Sequence, residues 1–348
     1  MRSRLLLPGV VAMATLAGCA ESRLTDPDLH NKPPEAVVVA EASRLLMVGT
    51  TTEIQNALLT ALPGDTIVVV AGTYTGSTST SGSSKAFFFS DRSGTAADRI
   101  TLRSEFGPGA SVLQGTSNST GYVFYLTGDY WDVRGVTFRL GQKGIMLDNA
   151  NNNLLYGCEV FDIGHEAIHL RDGSDNNTID GCNIHDAGQV TPGWGEGVYV
   201  GSDKGKWEIY DRFADNNVLR NSTIGPGVRA EHVDIKEGTT GTIIEGNTFL
   251  GAGISGANYA DSFLDAKGNA AVIRNNVGYR GNNGKVVDAF QVHRQVSGWG
   301  VNNQFRDNTV HLDIAKPYVV NVSSGSAVAC GNVRDPKGNL YRGGVTVC

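Results

Sequence analysis

A short phrase returns six times along this chain and limits its fold more than any other feature. It opens on asparagine or a small residue, alternates apolar and polar positions, and closes on a small residue before another apolar one. Three copies are Asn153-Leu-Leu-Tyr-Gly-Cys158-Glu-Val, Asn177-Thr-Ile-Asp-Gly-Cys182-Asn-Ile and Asn217-Val-Leu-Arg-Asn-Ser222-Thr-Ile. The others are Thr242-Ile-Ile-Glu-Gly-Asn247-Thr-Phe, Ala271-Val-Ile-Arg-Asn-Asn276-Val and Asn303-Gln-Phe-Arg-Asp-Asn308-Thr-Val. Aligned on Cys158, Cys182, Ser222, Asn247, Asn275 and Asn308, the copies are 24, 40, 25, 28 and 33 residues apart. A period near 24 with insertions is one coil of a solenoid whose strands pair only with the coils above and below. Parallel strands about 4.8 Å apart stack equivalent residues into ladders. Asn247, Asn275 and Asn308 then form an inward ladder that satisfies turn backbone. Cys158 and Cys182 take the same place, within reach of a disulfide or as two buried thiols.

The fold class is therefore all-β, a right-handed parallel β-helix of the pectate-lyase-like kind with a short N-terminal capping helix. Thr50-Thr-Thr-Glu53 reads as a capping box ahead of Ile54, Leu58, Ala61 and Leu62, an apolar helical face. Glycine at 45 and proline at 10 of 348 residues suit many turns rather than disorder. Cys330 and Cys348 bracket the C-terminus and suggest a disulfide staple in an exported chain.

Strands that precede each phrase carry the chemistry. Stacked, they read Lys143-Gly-Ile-Met-Leu-Asp148, Glu166-Ala-Ile-His-Leu-Arg171 and Glu196-Gly-Val-Tyr-Val-Gly201, then Glu231-His-Val-Asp-Ile-Lys236, Ser262-Phe-Leu-Asp-Ala-Lys267 and Asp288-Ala-Phe-Gln-Val-His293. The third and fifth positions are apolar in every row and face inward, so the fourth and sixth face solvent. The outward columns run Met146, His169, Tyr199, Asp234, Asp265, Gln291 and Asp148, Arg171, Gly201, Lys236, Lys267, His293. Arg294 follows them, and Glu166, Glu196, Glu231 and Asp288 flank them. Trp194, on the insertion from Gln189 to Asp215, is placed to stack on a sugar ring.

The net charge of −6 leaves no electrostatic footprint for nucleic acid. No nucleotide-binding glycine loop, zinc spacing or nucleophile elbow occurs. At the N-terminus, Arg2 and Arg4 precede an apolar run too short to span a bilayer, ending in Leu16-Ala17-Gly18-Cys19. This resembles a bacterial lipobox, which implies lipidation of Cys19, export and attachment to the outer membrane or cell surface. The expected organisation is signal peptide 1–18, flexible tether 19–37 and a single β-helix domain 38–348. The chain is expected to be a monomer that meets the membrane only through its anchor.

The opening coils, Pro63-Gly-Asp-Thr-Ile with Gly72-Thr-Tyr and Arg99-Ile-Thr-Leu-Arg103, resemble secreted β-helix polysaccharide lyases. More narrowly, Glu231-x-x-x-x-Lys236 followed by Gly246-Asn247-Thr248-Phe249 resembles the active coil of the chondroitinase-B and alginate-lyase family. The resemblance implies Lys236 as the Brønsted base, Lys267 as the assisting cation and Glu231 as a Ca²⁺ ligand. The chain departs from it at Arg229, where a second acidic ligand is expected, and at Lys267 in place of arginine.

β-Elimination of a uronate needs a cation on the carboxylate, a base for the α-proton and an acid for the leaving oxygen. Lys236 and Lys267 on adjacent coils would depress each other's protonation, and Asp234 and Asp265 would oppose this. His169 and His293 titrate in the useful range, and Tyr199 can protonate the leaving oxygen. The reading is a lyase acting on an acidic polysaccharide, with Lys236, Lys267, His293 and Tyr199 catalytic. His169, Arg171, Asp234, Asp265, Arg294 and Trp194 would bind substrate. The alternatives are a non-catalytic glycan binder on the same face, or a glycoside hydrolase using Asp234 with Asp265 or Glu196 with Glu231.

Overall fold

The structure, a computed structural model, describes residues 43–348. The expected signal peptide, Cys19, the whole tether 19–37 and residues 38–42 lie outside the described residues. Each coil contributes three short strands, and all the ladders between coils are parallel. One ladder runs through Lys143–Asp148, Ile168–Arg171, Val198–Val200, Val233–Ile235, Leu264–Ala266 and Asp288–Val292. A second runs through the first half of each repeat phrase, and a third through its end. The right-handed parallel β-helix is the observed architecture.

Inside, apolar residues stack coil on coil. Phe249 and Phe263 lie stacked at 6.0 Å between centroids, and Phe290 on Phe305 at 5.7 Å. The helix Thr51–Thr60 closes the N-terminal end, with Ile54 and Leu58 fully buried. Thr50 Oγ1 accepts from Glu53 N–H at 3.2 Å, and the Glu53 carboxylate accepts from Gly49 N–H at 2.9 Å, one residue earlier than in the usual box. A strand not foreseen in the sequence, Leu45–Val48, precedes the helix and pairs with Thr66–Val69.

The asparagine ladder is present, but its member in the fifth copy is Asn276, not Asn275. Each side-chain oxygen accepts the backbone N–H of the previous rung: Ser222 to Asn247 at 3.0 Å, Asn247 to Asn276 at 2.9 Å, Asn276 to Asn308 at 3.1 Å. Each amide also donates to a carbonyl one coil back, as Asn276 Nδ2 does to Ile244 at 2.9 Å. The residue before each rung turns the corner in the left-handed region, where glycine or asparagine fits: Gly181, Asn221, Gly246 and Asn275 all have φ between 52° and 66°. Asparagine suits both places, which disguised the register. Cys158 and Cys182 occupy the same ladder as buried thiols, each Sγ 3.5 Å from a carbonyl of the preceding coil. Cys330 and Cys348 form a disulfide.

Candidate active site

Strand register places the outward residues of successive coils side by side. Met146 pairs with His169, His169 with Tyr199, Tyr199 with Asp234, Asp234 with Asp265, and Asp265 with Gln291. The column expected from strand alternation is therefore continuous. It does not face open solvent. Inserted segments rise on either side: Lys204 Nζ reaches the Gln295 carbonyl at 3.3 Å, and Asn258 donates to the Gly193 carbonyl at 3.1 Å. Between them lies a cavity of about 880 Å³ lined from Lys143 to His293. Five coil steps of about 4.8 Å make it roughly 24 Å long, enough for several sugar rings. Met146 is not part of it, because the Tyr125 cluster covers its side chain completely.

The first residue of four of the six rows, Lys143, Glu166, Glu196 and Glu231, also lines the cavity. Positions two and three, such as His232 and Val233, are both buried in the core, so the alternation slips by one. That slip returns Glu166, Glu196 and Glu231 to the same face as Asp234 and Lys236.

Electrostatic pairing then sorts the side chains. At one end Arg171 is held by Asp148 through two bonds of 2.8 and 2.7 Å, with its guanidinium 3.8 Å above the Tyr210 ring. Lys143 is bound to both oxygens of Glu166 at 2.6 Å. At the centre Lys267 Nζ donates to Asp234 at 2.6 Å and lies 3.5 Å from Asp265. Lys236 Nζ is held more loosely, 3.6 Å from both Asp234 and Asp203 and 5.4 Å from the centre of the Tyr199 ring.

Burial works to deprotonate both lysines, but Asp234 and the other nearby carboxylates outweigh it and hold both above the ordinary lysine range. The mutual depression expected from two stacked lysines is present only as a minor effect. Burial, reinforced by Asp234 and Glu196, pushes the Tyr199 phenol well above its usual value. His169 is kept toward the neutral form by burial, with Nε2 3.0 Å from the Gly201 carbonyl and its ring 4.5 Å from that of Tyr199.

His293 lines the far end, with Nε2 2.6 Å from Gln291 Oε1 and Nδ1 2.7 Å from Ser323 Oγ, so both ring nitrogens are engaged. Trp194 stands at the rim, 55% exposed and edge-on to His165. Arg294 is not brought to the cavity, since its Nε turns to the Trp299 carbonyl. Tyr259, on the opposite rim loop and 89% exposed, had no signal in the strand pattern because its place depends on a loop path.

The residues around Glu231 do not fit a Ca²⁺ site. Such a site takes six to eight oxygens. Here Asp234 and Asp265 are engaged by lysines, and Glu231 is pushed well toward its neutral form by burial and by Asp265. Among the described residues no group of three or more His, Cys, Asp or Glu is arranged to hold a metal.

Comparison with known proteins agrees with this geometry. Residues 45–209 match the family described as Pel9A-like, right handed beta helix region. The crystal structure of an alginate lyase from Paenibacillus sp. str. FPU-7 is 52% identical, with 88% of this chain and 100% of that one covered at a TM-score of 0.83. Pectate lyase Pel9A, at 14% identity over 88% of this chain and 79% of that one with a TM-score of 0.63, shares the fold. So does the adhesin PfbA of Streptococcus pneumoniae, at 13% identity over 87% and 99% with a TM-score of 0.51, so fold alone does not separate lyase from binder. No curated protein sequence matches the chain. With 52% identity to a lyase of this architecture that is matched along its whole length, and a cleft of lysines, carboxyls and a tyrosine on the expected face, the chain belongs to the right-handed β-helix polysaccharide lyases.

Proposed function

We propose that the chain cleaves alginate, or a closely similar uronan, by β-elimination in the cavity between Lys143 and His293. The observation that carries this reading is the Lys236–Tyr199 pair, on adjacent coils at the centre of the cavity. Lys236 has the loosest contacts of the buried lysines there, and Tyr199 is a neutral phenol beside it. The 52% identity to an alginate lyase supports alginate as the uronan.

In the reaction the C–H bond α to the carboxylate breaks and its proton passes to a base. The glycosidic C–O bond then breaks, a C=C bond forms, and the leaving oxygen takes a proton. Lys236 and Tyr199 both carry their protons in the resting protein. One proton must leave this pair before either group can act as base, and the one that remains serves the leaving oxygen. Lys267, fixed by Asp234, supplies positive charge beneath the substrate carboxylate.

The test is the ultraviolet absorbance of unsaturated uronate formed from alginate, pectate, glucuronan and glycosaminoglycans. Lys236→Ala and Tyr199→Phe are each expected to lower kcat by about 10²–10⁴-fold. Full activity in either variant removes the pair from the mechanism. Reducing ends without unsaturation would mean hydrolysis, and uronan binding without cleavage would mean a binder. The lipobox resemblance adds export and surface anchoring through Cys19 to the proposal, tested by incorporation of labelled fatty acid.

A further inference from the structure

A cavity for a polyanion should be rich in free positive charge, and this one is not. Among the described residues seven carboxyl side chains line it against five lysines and arginines. Most of those cations are already committed, Lys143 to Glu166, Arg171 to Asp148 and Lys267 to Asp234. If every carboxyl were ionised, the cavity would repel the chain it is built to hold.

Glu196 is placed to resolve this. It begins the strand turn that carries Tyr199, it is 5% exposed, and it lines the cavity floor. Its Oε2 is sealed from solvent and has no hydrogen-bond partner among the described residues. No lysine or arginine there comes within ion-pair distance of it, in contrast to Glu166 and Asp234. Around it stand Glu166, Lys143 and His169 from the coils before, and Tyr199 from its own strand. Glu231, Asp234 and Lys236 follow on the next coil, and Lys267 on the one after. A buried carboxylate without a cation costs several kcal/mol, whereas the neutral acid needs no counter-ion and carries one O–H donor on a side chain that lines the cavity.

We propose that Glu196 works as a neutral carboxylic acid whose O–H donates to the carboxylate of the bound uronate, a specificity-determining contact that rests on the lyase reading above. The proton stays on Glu196 throughout, so no bond to it is made or broken. An O–H···O⁻ bond of this kind is among the strongest available to a buried site. It adds a donor to a cavity in which three of the five cations are held by carboxylates. Burial first, then Glu166 and Asp234, push this carboxyl up to about 8, which is the direction the role requires. Ionisation above that pH turns the donor into a negative charge facing a negative charge.

The experiment measures KM and kcat for unsaturated-product formation from about pH 6 to about pH 10 in the wild type, Glu196→Gln and Glu196→Ala. The wild-type KM is expected to rise about tenfold for each unit above about pH 8. Glu196→Gln, which keeps a donor but cannot ionise, should recover most of the binding lost in Glu196→Ala and show no such rise. A wild-type KM flat across this range, an unchanged rise in Glu196→Gln, or a Glu196→Gln KM as poor as that of Glu196→Ala would overturn the proposal. Thermal melting shows that each variant is folded. If the wild type forms no unsaturated product, the lyase reading fails by itself. Calorimetric binding of an alginate oligosaccharide over the same pH range then still decides the role of Glu196, by the same loss in the wild type and its absence in Glu196→Gln.

Discussion

Lys267 Nζ lies 2.6 Å from Asp234 Oδ1 on the preceding coil, and the same carboxylate stands 3.6 Å from Lys236 Nζ. One buried aspartate thus keeps two lysines charged. Removing its charge in Asp234→Asn is expected to lower both lysine pKa values, so the Lys236–Tyr199 pair loses its first proton at lower pH. The rising limb of the pH–rate profile should move to lower pH by about one unit or more. The two lysines are left poorly compensated, and urea unfolding should show a loss of about 3 kcal/mol. A rising limb that stays in place means that Asp234 does not govern the pair.

The carboxyls nearest Lys236 and Lys267 are engaged by lysines or pushed toward neutrality, so they offer no cage for a hard cation. Activity on alginate should therefore survive dialysis against a chelator and gain nothing from added Ca²⁺. A loss on chelation that Ca²⁺ restores would place a metal in the site.

His232 lies in the core, its ring stacked between Phe249 and Phe263 at 5.7 and 5.6 Å. Burial lowers it from 6.5 to about 3, against the pull of the Leu250 carbonyl. The folded state therefore favours the neutral ring, a contribution complete above pH 6.5 and lost as the pH falls toward 3. Glu196 and Glu231, raised in the fold, act in the opposite sense, so the informative quantity is the difference between wild type and His232→Phe. Wild type should lose about 1.4 kcal/mol relative to this variant for each unit below pH 6.5. Parallel stability curves would contradict the assignment.

Asn276 and its neighbour Asn275 separate ladder from corner. Asn276→Ala leaves the Asn247 amide and the Ile244 carbonyl unpaired inside the solenoid, and should cost about 2–4 kcal/mol in urea unfolding. Asn275 turns the corner at φ 55°, so Asn275→Gly should change stability by less than about 1 kcal/mol. The reverse order would mean that the ladder runs through Asn275.

Much of this protein was legible before any coordinates. The period near 24 determined the solenoid, because a coil that cannot bury its own apolar face must repeat to do so. Strand alternation determined the column from His169 to Gln291, since side-chain parity is a local property of the backbone. The Cys330–Cys348 staple followed from the positions of the two cysteines and from the export expected of the chain. Glu196 and Glu231 were placed only as flanking that column; the two consecutive inward residues that carry them into the cavity break the alternation and were not legible. Arg294, next to the column in sequence, leaves it in space because the chain turns after His293.

Only the tertiary structure decided that the stripe is the floor of a walled cleft rather than a flat face. Lys204 and Asn258 help to wall it through contacts with Gln295 and Gly193, 91 and 65 residues away, and such loop paths are written in no local pattern. Burial in turn fixed the charge states. Buried carboxyls with no cation move toward neutrality, and buried lysines beside Asp234 stay charged. The sequence named the groups and their order along the axis; burial and distance, which no periodicity encodes, determined which of them hold a proton.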